Sequence, residues 1–493
     1  MPDGRTGIAA ASASPRPSQA SAIATTGPSA TAFSKVLLNG DLPQPSSVLL
    51  RVGDGYAVAD LATGSLGPSF DGATALSDVR RLADGTYACL CVTMDGDVNG
   101  SPTHAVVELR RYDAKCGLTD TVGVGDYTGS LDPRPAARMD QPPNVDVAVR
   151  YAPDETLGYV GWSLRDGGRW KGGILLVDLE TGAVTGRVGL PDISIGPDDQ
   201  PVNVMAARVA VGPGGDVALV SRPTYSVEHA SGAYHSGTEH YLMPASGRSQ
   251  ATATPFAVDR PCDDGEADAG LTDGRLAWFL CWSSDGGRLT VRRVPEDGGS
   301  VPDIQVDATG EGGTWAVSGS SIYFWTPVSR TIDRVDLLTG ETSSGSAPAP
   351  TATDRSRPDP IGALGRWLAP SASAKVFLEP GIVVAPGTGS VVYALGIGTE
   401  DPAQPRSTGV FVFDRRTLEP LGHWAPTADF VSLAVSADGR FVYAAGASQA
   451  GIDIPQTMHG ASVTVYDASD GSVRSIAGQL DPLDVQFTSP YLP

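Results

Sequence analysis

Lysine is almost missing from this chain. Lys35, Lys115, Lys171 and Lys375 are the only four among 493 residues, so arginine carries nearly all the positive charge, and the formal net charge is −21. So acidic a balance repels phosphates, which argues against nucleic acid and anionic membrane surfaces as partners. Long apolar runs are missing too, so no helical membrane span is expected. Met1-Pro2-Asp3 has neither the basic nor the apolar segment of a secretory signal. No Gly-Lys-Ser/Thr phosphate loop and no haem-attachment Cys-x-x-Cys-His occurs. No complete serine elbow Gly-x-Ser-x-Gly occurs: Gly319-Ser-Ser-Ile breaks the pattern and Gly387-Thr-Gly-Ser lacks it. No residue is therefore assigned a catalytic role.

Cysteine is scarce, with five in all, at 89, 91, 116, 262 and 281. Their spacing fits no zinc signature, because Cys-Leu-Cys has one intervening residue and no second pair follows. Cys262 and Cys281 fall on what should be neighbouring strands, and Cys116 lies just past the partner of the strand carrying Cys89 and Cys91. The expected pairs are Cys262 with Cys281 and Cys89 with Cys116, leaving one free thiol. Such pairing suits an exported protein, secreted or tethered to a surface. Five reduced thiols in a cytoplasmic protein is the alternative.

Glycine (60) and proline (39) are abundant, as a chain with dozens of turns requires. Between them a phrase recurs: an apolar strand ending in Asp, followed by a Thr-Gly or Asp-Gly turn. It reads Tyr-Ala-Val-Ala-Asp-Leu-Ala-Thr-Gly at 56–64, Leu-Leu-Val-Asp-Leu-Glu-Thr-Gly at 175–182 and Ile-Asp-Arg-Val-Asp-Leu-Leu-Thr-Gly at 332–340. Looser copies lie at 411–418 and 463–471. Recurrence every few tens of residues marks a repeat architecture, and alternating apolar strands make it all-β. The register marks are Asp60, Asp113, Asp178, Pro244, Pro295, Asp336, Asp414 and Asp467. Most follow a pair of strands joined by a short turn, so the unit is a four-stranded antiparallel blade.

Eight such units make a β-propeller, with seven blades as the alternative. The first unit, at 46–70, has only three strands, and a C-terminal strand around 484–489 is placed to complete it and remove the open edges. The propeller domain is assigned to residues 34–493, with a flexible Ser/Pro/Ala insertion at 341–360. Residues 1–33, rich in Ala, Ser, Thr and Pro, read as a disordered tether, since they cannot bury enough surface to offset ordering.

The segment Val431-Ser-Leu-Ala-Val-Ser-Ala-Asp-Gly-Arg-Phe-Val-Tyr-Ala-Ala-Gly446 resembles the repeats of YVTN-type bacterial β-propellers, in which a Ser-x-Asp-Gly turn precedes a strand ending in Tyr-x-Ala. The resemblance is sharpest at 429–478. It implies a propeller fold and a functionally broad group of surface proteins, binding subunits, lactonases and lyases. Quinoprotein dehydrogenases share the first half of the Asp-x-x-Thr-Gly phrase but continue to a Trp. Here those positions are Pro68, Gly186 and Ser344, and no adjacent cysteine pair exists, so a quinone cofactor is not expected.

Three constellations remain. Asp95, Asp97 and Asn99, followed by Gly100, place oxygens at alternate positions before a tight turn, as a structural calcium loop does. An ordinary acidic turn is the plainer reading. His229, His235 and His240 fall in twelve residues beside Glu228 and Glu239, a candidate transition-metal loop that otherwise reads as a polar loop. Asp263, Asp264, Glu266 and Asp268 read as a solvated rim loop, and Trp315, Phe324 and Trp325 as core between blades. The expected function is a monomeric, non-catalytic, extracytoplasmic module that binds a small ligand or a protein at the propeller rim. The alternative is a metal-dependent lactonase- or lyase-like enzyme whose histidines, His459 included, converge on the channel.

Overall fold

The computed structural model describes residues 47–348 and 381–492, apart from loop tips, of which the longest are 97–101, 131–143, 195–202, 228–233, 283–287, 296–300, 307–313, 397–408 and 448–460. Eight sheets, each built on four antiparallel strands, form an eight-bladed β-propeller, and Gln250–Thr252 and Tyr491–Leu492 add short parallel strands to the third and the eighth. Among the described residues there is no helix, so none is long and apolar enough to cross a membrane.

Each blade is a meander. The second runs Asp78–Arg81, Tyr87–Gly96, Pro102–Tyr112, Leu118–Thr128, from the channel outward. The first blade holds Ser47–Val52, Gly55–Asp60 and Leu66–Ser69 and takes its innermost strand from Val485–Phe487, with Leu50 opposite Phe487 and Val52 opposite Val485. The ring is closed by pairing the chain's two ends, as the three-stranded first unit predicts. All eight register marks fall at or just past the end of the third strand of a blade, counted outward. One boundary shifts: Thr342–Ser346, inside the insertion drawn from composition, is the outer strand of the sixth blade.

The core lies between blades. Eight apolar clusters occur, and each joins two neighbours around the ring. Burying a large side chain in such a seam contributes about 1.5–3 kcal/mol. Phe324 and Trp325 are buried there, as expected.

The recurring phrase is the turn that holds each blade to the one before it. In the third blade Asp178 Oδ1 accepts the Thr181 N–H at 2.7 Å and the Thr181 hydroxyl at 2.8 Å, while Gly182 N–H bonds Asp178 O at 2.8 Å. The backbone N–H of Thr181, then its hydroxyl, holds the Asp178 carboxyl below its usual range. Gly182, Gly340 and Gly471 take φ of 73°, 80° and 70°, where a side chain is strained. Each also receives a side chain of the preceding blade: Val122, Arg293 and Trp424 respectively.

Cys262 and Cys281 form a disulfide, with Cys262 in the segment ahead of Glu266–Leu271 rather than on a strand and Cys281 on Ala277–Trp282. The other pairing is corrected. Cys89 bonds Cys91, two residues along the same strand and on the same face, and Cys116 is a buried free thiol in the same apolar seam between the first two blades.

Candidate functional site

The innermost strands alternate in a way that exposes a charged arc. In Val145–Tyr151 the valines Val145, Val147 and Val149 are buried between blades, while Asp146 and Arg150 take the intervening, more open positions. Asp78 and Arg80 flank buried Val79 in the second blade, and Arg208 precedes buried Val209 in the fourth. Glu266 and Asp268 follow on the fifth. The inner strands of the next three blades, Thr314–Ser318, Ile382–Val384 and Phe430–Ser436 with Tyr491–Leu492 beside it, carry no charged residue. The channel wall is thus charged over four successive blades and neutral over the next three.

Each carboxylate in the arc is fastened. Asp78 Oδ1 lies 3.3 Å from Arg80 Nε. Burial raises the Asp78 pKa, against the pull of Arg80 and then Arg150. The Arg80 guanidinium sits over the Tyr151 ring, 5.8 Å from its centroid, and the Tyr151 hydroxyl bonds the Asp78 carbonyl at 2.8 Å and the Leu90 N–H at 2.8 Å, tying the second blade to the third. Asp146 Oδ2 accepts the Ala206 N–H at 2.8 Å, tying the third to the fourth. Glu266 Oε2 lies 2.6 Å from His240 Nε2, tying the fifth to the fourth. Asp268 Oδ2 accepts the Trp315 indole N–H at 2.9 Å, tying the fifth to the sixth, and burial pushes its carboxyl up. Glu266 and Asp268 are therefore half-buried wall residues rather than part of a solvated rim loop, while Asp263 and Asp264 of the same acidic run lie outside the described residues.

Arg150 is different. It is exposed, and among the described residues its guanidinium makes one hydrogen bond, to the carbonyl of its own neighbour Val149 at 3.3 Å. Its charge is felt by Tyr56 of the first blade, Asp78 of the second and Asp268 of the fifth. Its exposed position on the innermost strand of the third blade puts Arg150 on the channel wall.

The residues singled out by motif are scattered. His240 is buried, its ring edge-on to Phe279 with centroids 4.4 Å apart. His235 belongs to the same strand, opposite Ser226, and His229 and His459 lie outside the described residues. Asp95 ends a strand of the second blade with its Oδ2 3.4 Å from His104 Nδ1, and Asp97 and Asn99 lie outside the described residues. His104 Nε2 meets Asp126 Oδ1 at 2.9 Å, and the bonds to Asp126 and then Asp95 raise the imidazole pKa. Among the described residues no three His, Cys, Asp or Glu side chains are grouped to hold a metal. The charged arc was not singled out from sequence, although a signal exists: charges alternating with valine in strands that open a blade.

No family model and no curated protein matches the chain. Among solved structures, apo AztD from Citrobacter koseri is 10% identical, with 89% of this chain and 96% of that one covered at a TM-score of 0.38. The WD40 domain of SCAP from fission yeast is 11% identical over 82% of this chain and 87% of that one, at 0.36. Prolyl oligopeptidase B from Galerina marginata is 12% identical over 83% of this chain and 52% of that one, at 0.39. Propellers of enzymes and of binding modules thus stand side by side in this group. Likenesses this distant carry no argument about function, and the fold is read from the chain's own eight sheets.

Proposed function

We propose that this protein is a non-catalytic, extracytoplasmic binding module, acting as a monomer, whose propeller receives a ligand or protein partner at the channel. One observation carries the reading: all four carboxylates of the charged arc are engaged in bonds that hold the wall together, while an arginine is left open to solvent. Acid–base chemistry needs a carboxyl or imidazole free to reach a substrate proton, and His240 is instead packed between Phe279 and Glu266. Two disulfides favour an oxidising compartment. The Ser-Ala-Asp-Gly turn at 436–439 supports kinship with YVTN-type surface propellers.

The test is a thermal-shift screen of small anions, sugars and peptides, run beside turnover assays on lactones and on β-elimination substrates. The expected result is a ligand that raises the melting temperature without being consumed. Turnover that disappears in His240→Gln or Asp268→Asn would establish the enzyme instead.

A further inference from the structure

We infer that Arg150, flanked by Arg80, is the seat of an oxyanion in the channel, and that the ligand is a small molecule presenting a carboxylate or phosphate. The inference rests on the binding function proposed above and names the chemistry of its ligand.

The two arginines differ in what already holds them. Arg80 is fixed from below by Asp78 at 3.3 Å and from the side by the Tyr151 ring. Arg150 follows the same strand alternation one blade on, is exposed, and among the described residues makes a single backbone bond and no ion pair, so most of its N–H donors are open to a ligand. A planar guanidinium offers parallel donors that match the two oxygens of a carboxylate or phosphate. The surrounding acids do not fill that role: Asp78 is engaged by Arg80, and Asp268 by Trp315. Arg51 of the first blade adds a third positive charge acting on Tyr56 together with Arg80 and Arg150. Within a chain of net charge −21, arginines of three consecutive blades, Arg51, Arg80 and Arg150, all act on Tyr56, so positive charge is gathered at this part of the wall. Such a gathering favours a small anion that fits the channel over a large polyanion, which the rest of the surface repels.

The experiment is calorimetric titration of the full chain with inorganic phosphate and, separately, with succinate, at low ionic strength. At least one is expected to give a single saturable site, weakened by added salt. Arg150→Gln should weaken it by about tenfold or more, the loss of a charge-assisted contact. Arg150→Lys should fall between, keeping the charge but losing the fork. Arg187→Gln removes the same charge from an exposed outer strand and should change nothing. Melting curves check that each variant is folded. No saturable site for either anion, or equal weakening by Arg150→Gln and Arg187→Gln, overturns the seat. A neutral or cationic ligand that stabilises the chain equally in wild type and Arg150→Gln also overturns it, while leaving the binding function standing.

Discussion

Replacing Gly471 by alanine should be among the costliest single-methyl additions in this protein. Two terms add. The residue sits at φ 70°, and holding an L-residue in that region costs about 1–2 kcal/mol. A Cβ there would also stand 2.3 Å from Trp424 Nε1 and 2.4 Å from its Cε2. That indole cannot swing aside: it is buried, with Tyr393 and Tyr466 at centroid distances of 5.5 and 5.4 Å. Forcing a methyl into such a seam costs a further ~1–3 kcal/mol. Gly319 supplies the control, with φ 59° and nothing within 4 Å of its Cβ position, so Gly319→Ala should carry the backbone term alone. Urea unfolding followed by tryptophan fluorescence gives both values. Gly471→Ala should exceed Gly319→Ala by about 1–3 kcal/mol, and adding Trp424→Phe should recover part of that excess in a double-mutant cycle. Equal costs for the two glycines would refute the idea that the turn glycine is a packing site as well as a bend.

Two further outcomes are expected. Asp268→Asn should stabilise the protein at pH 7 through loss of the buried charge, by an amount reduced because the Ala269 N–H, which Oδ1 accepts, then faces the amide NH2 while the carbonyl keeps the Trp315 N–H. The sign with pH follows: a carboxyl raised in the fold gains stability as pH falls through its folded pKa, so the advantage of the variant should shrink on acidification, and urea midpoints at pH 7 and pH 4.5 read it. Breaking the Cys262–Cys281 disulfide, which spans 19 residues, should cost about 3 kcal/mol of loop-closure entropy. Breaking Cys89–Cys91, two residues apart, should cost far less, and Cys262→Ser against Cys91→Ser in urea compares them; equal losses would contradict the loop argument.

How much of this was legible follows from the range of each interaction. Blade number, ring closure and the Asp turns depend on residues close in sequence or on a missing strand, and these show as patterns: from Asp178 to Gly182 the bend is made by bonds within five residues, from Thr181 to Asp178 Oδ1 and from Gly182 to Asp178 O. The Cys262–Cys281 pair joins residues 19 apart in one blade, although Cys262 precedes the strand Glu266–Leu271 rather than lying on it. What stayed hidden depends on neighbours far along the chain. Tyr151 reaches the Asp78 carbonyl 73 residues back, and His240 meets Glu266 across a blade boundary, so neither a histidine-rich segment nor an acidic run discloses its partner. Cys89 took Cys91 over Cys116 because the two share one strand face, a choice that spacing alone leaves open.

The same division explains why the Asp–Gly phrase recurs while its surroundings do not. The bend is local and needs positive φ, so glycine returns at 182, 340 and 471. The side chain that fills the space above it comes from the preceding blade and varies from Val122 to Arg293 to Trp424. The seventh blade inverts the arrangement. There the turn position is Leu418, at φ 59° and fully buried, and the residue facing it on the preceding blade is Gly345, whose Cβ would stand 2.1 Å from Leu418 O and 2.8 Å from Leu418 Cβ. The missing side chain has moved from the turn to the strand opposite. What these four seams share is therefore a volume: a side chain facing a vacancy at the turn, on whichever blade each falls. Leucine offsets the strain of its left-handed conformation by burial, worth about 1.5–3 kcal/mol against a cost of about 1–2. Gly345→Ala should consequently be as damaging as Gly471→Ala although Gly345 lies in an ordinary strand, because both fill the one vacancy in their seam.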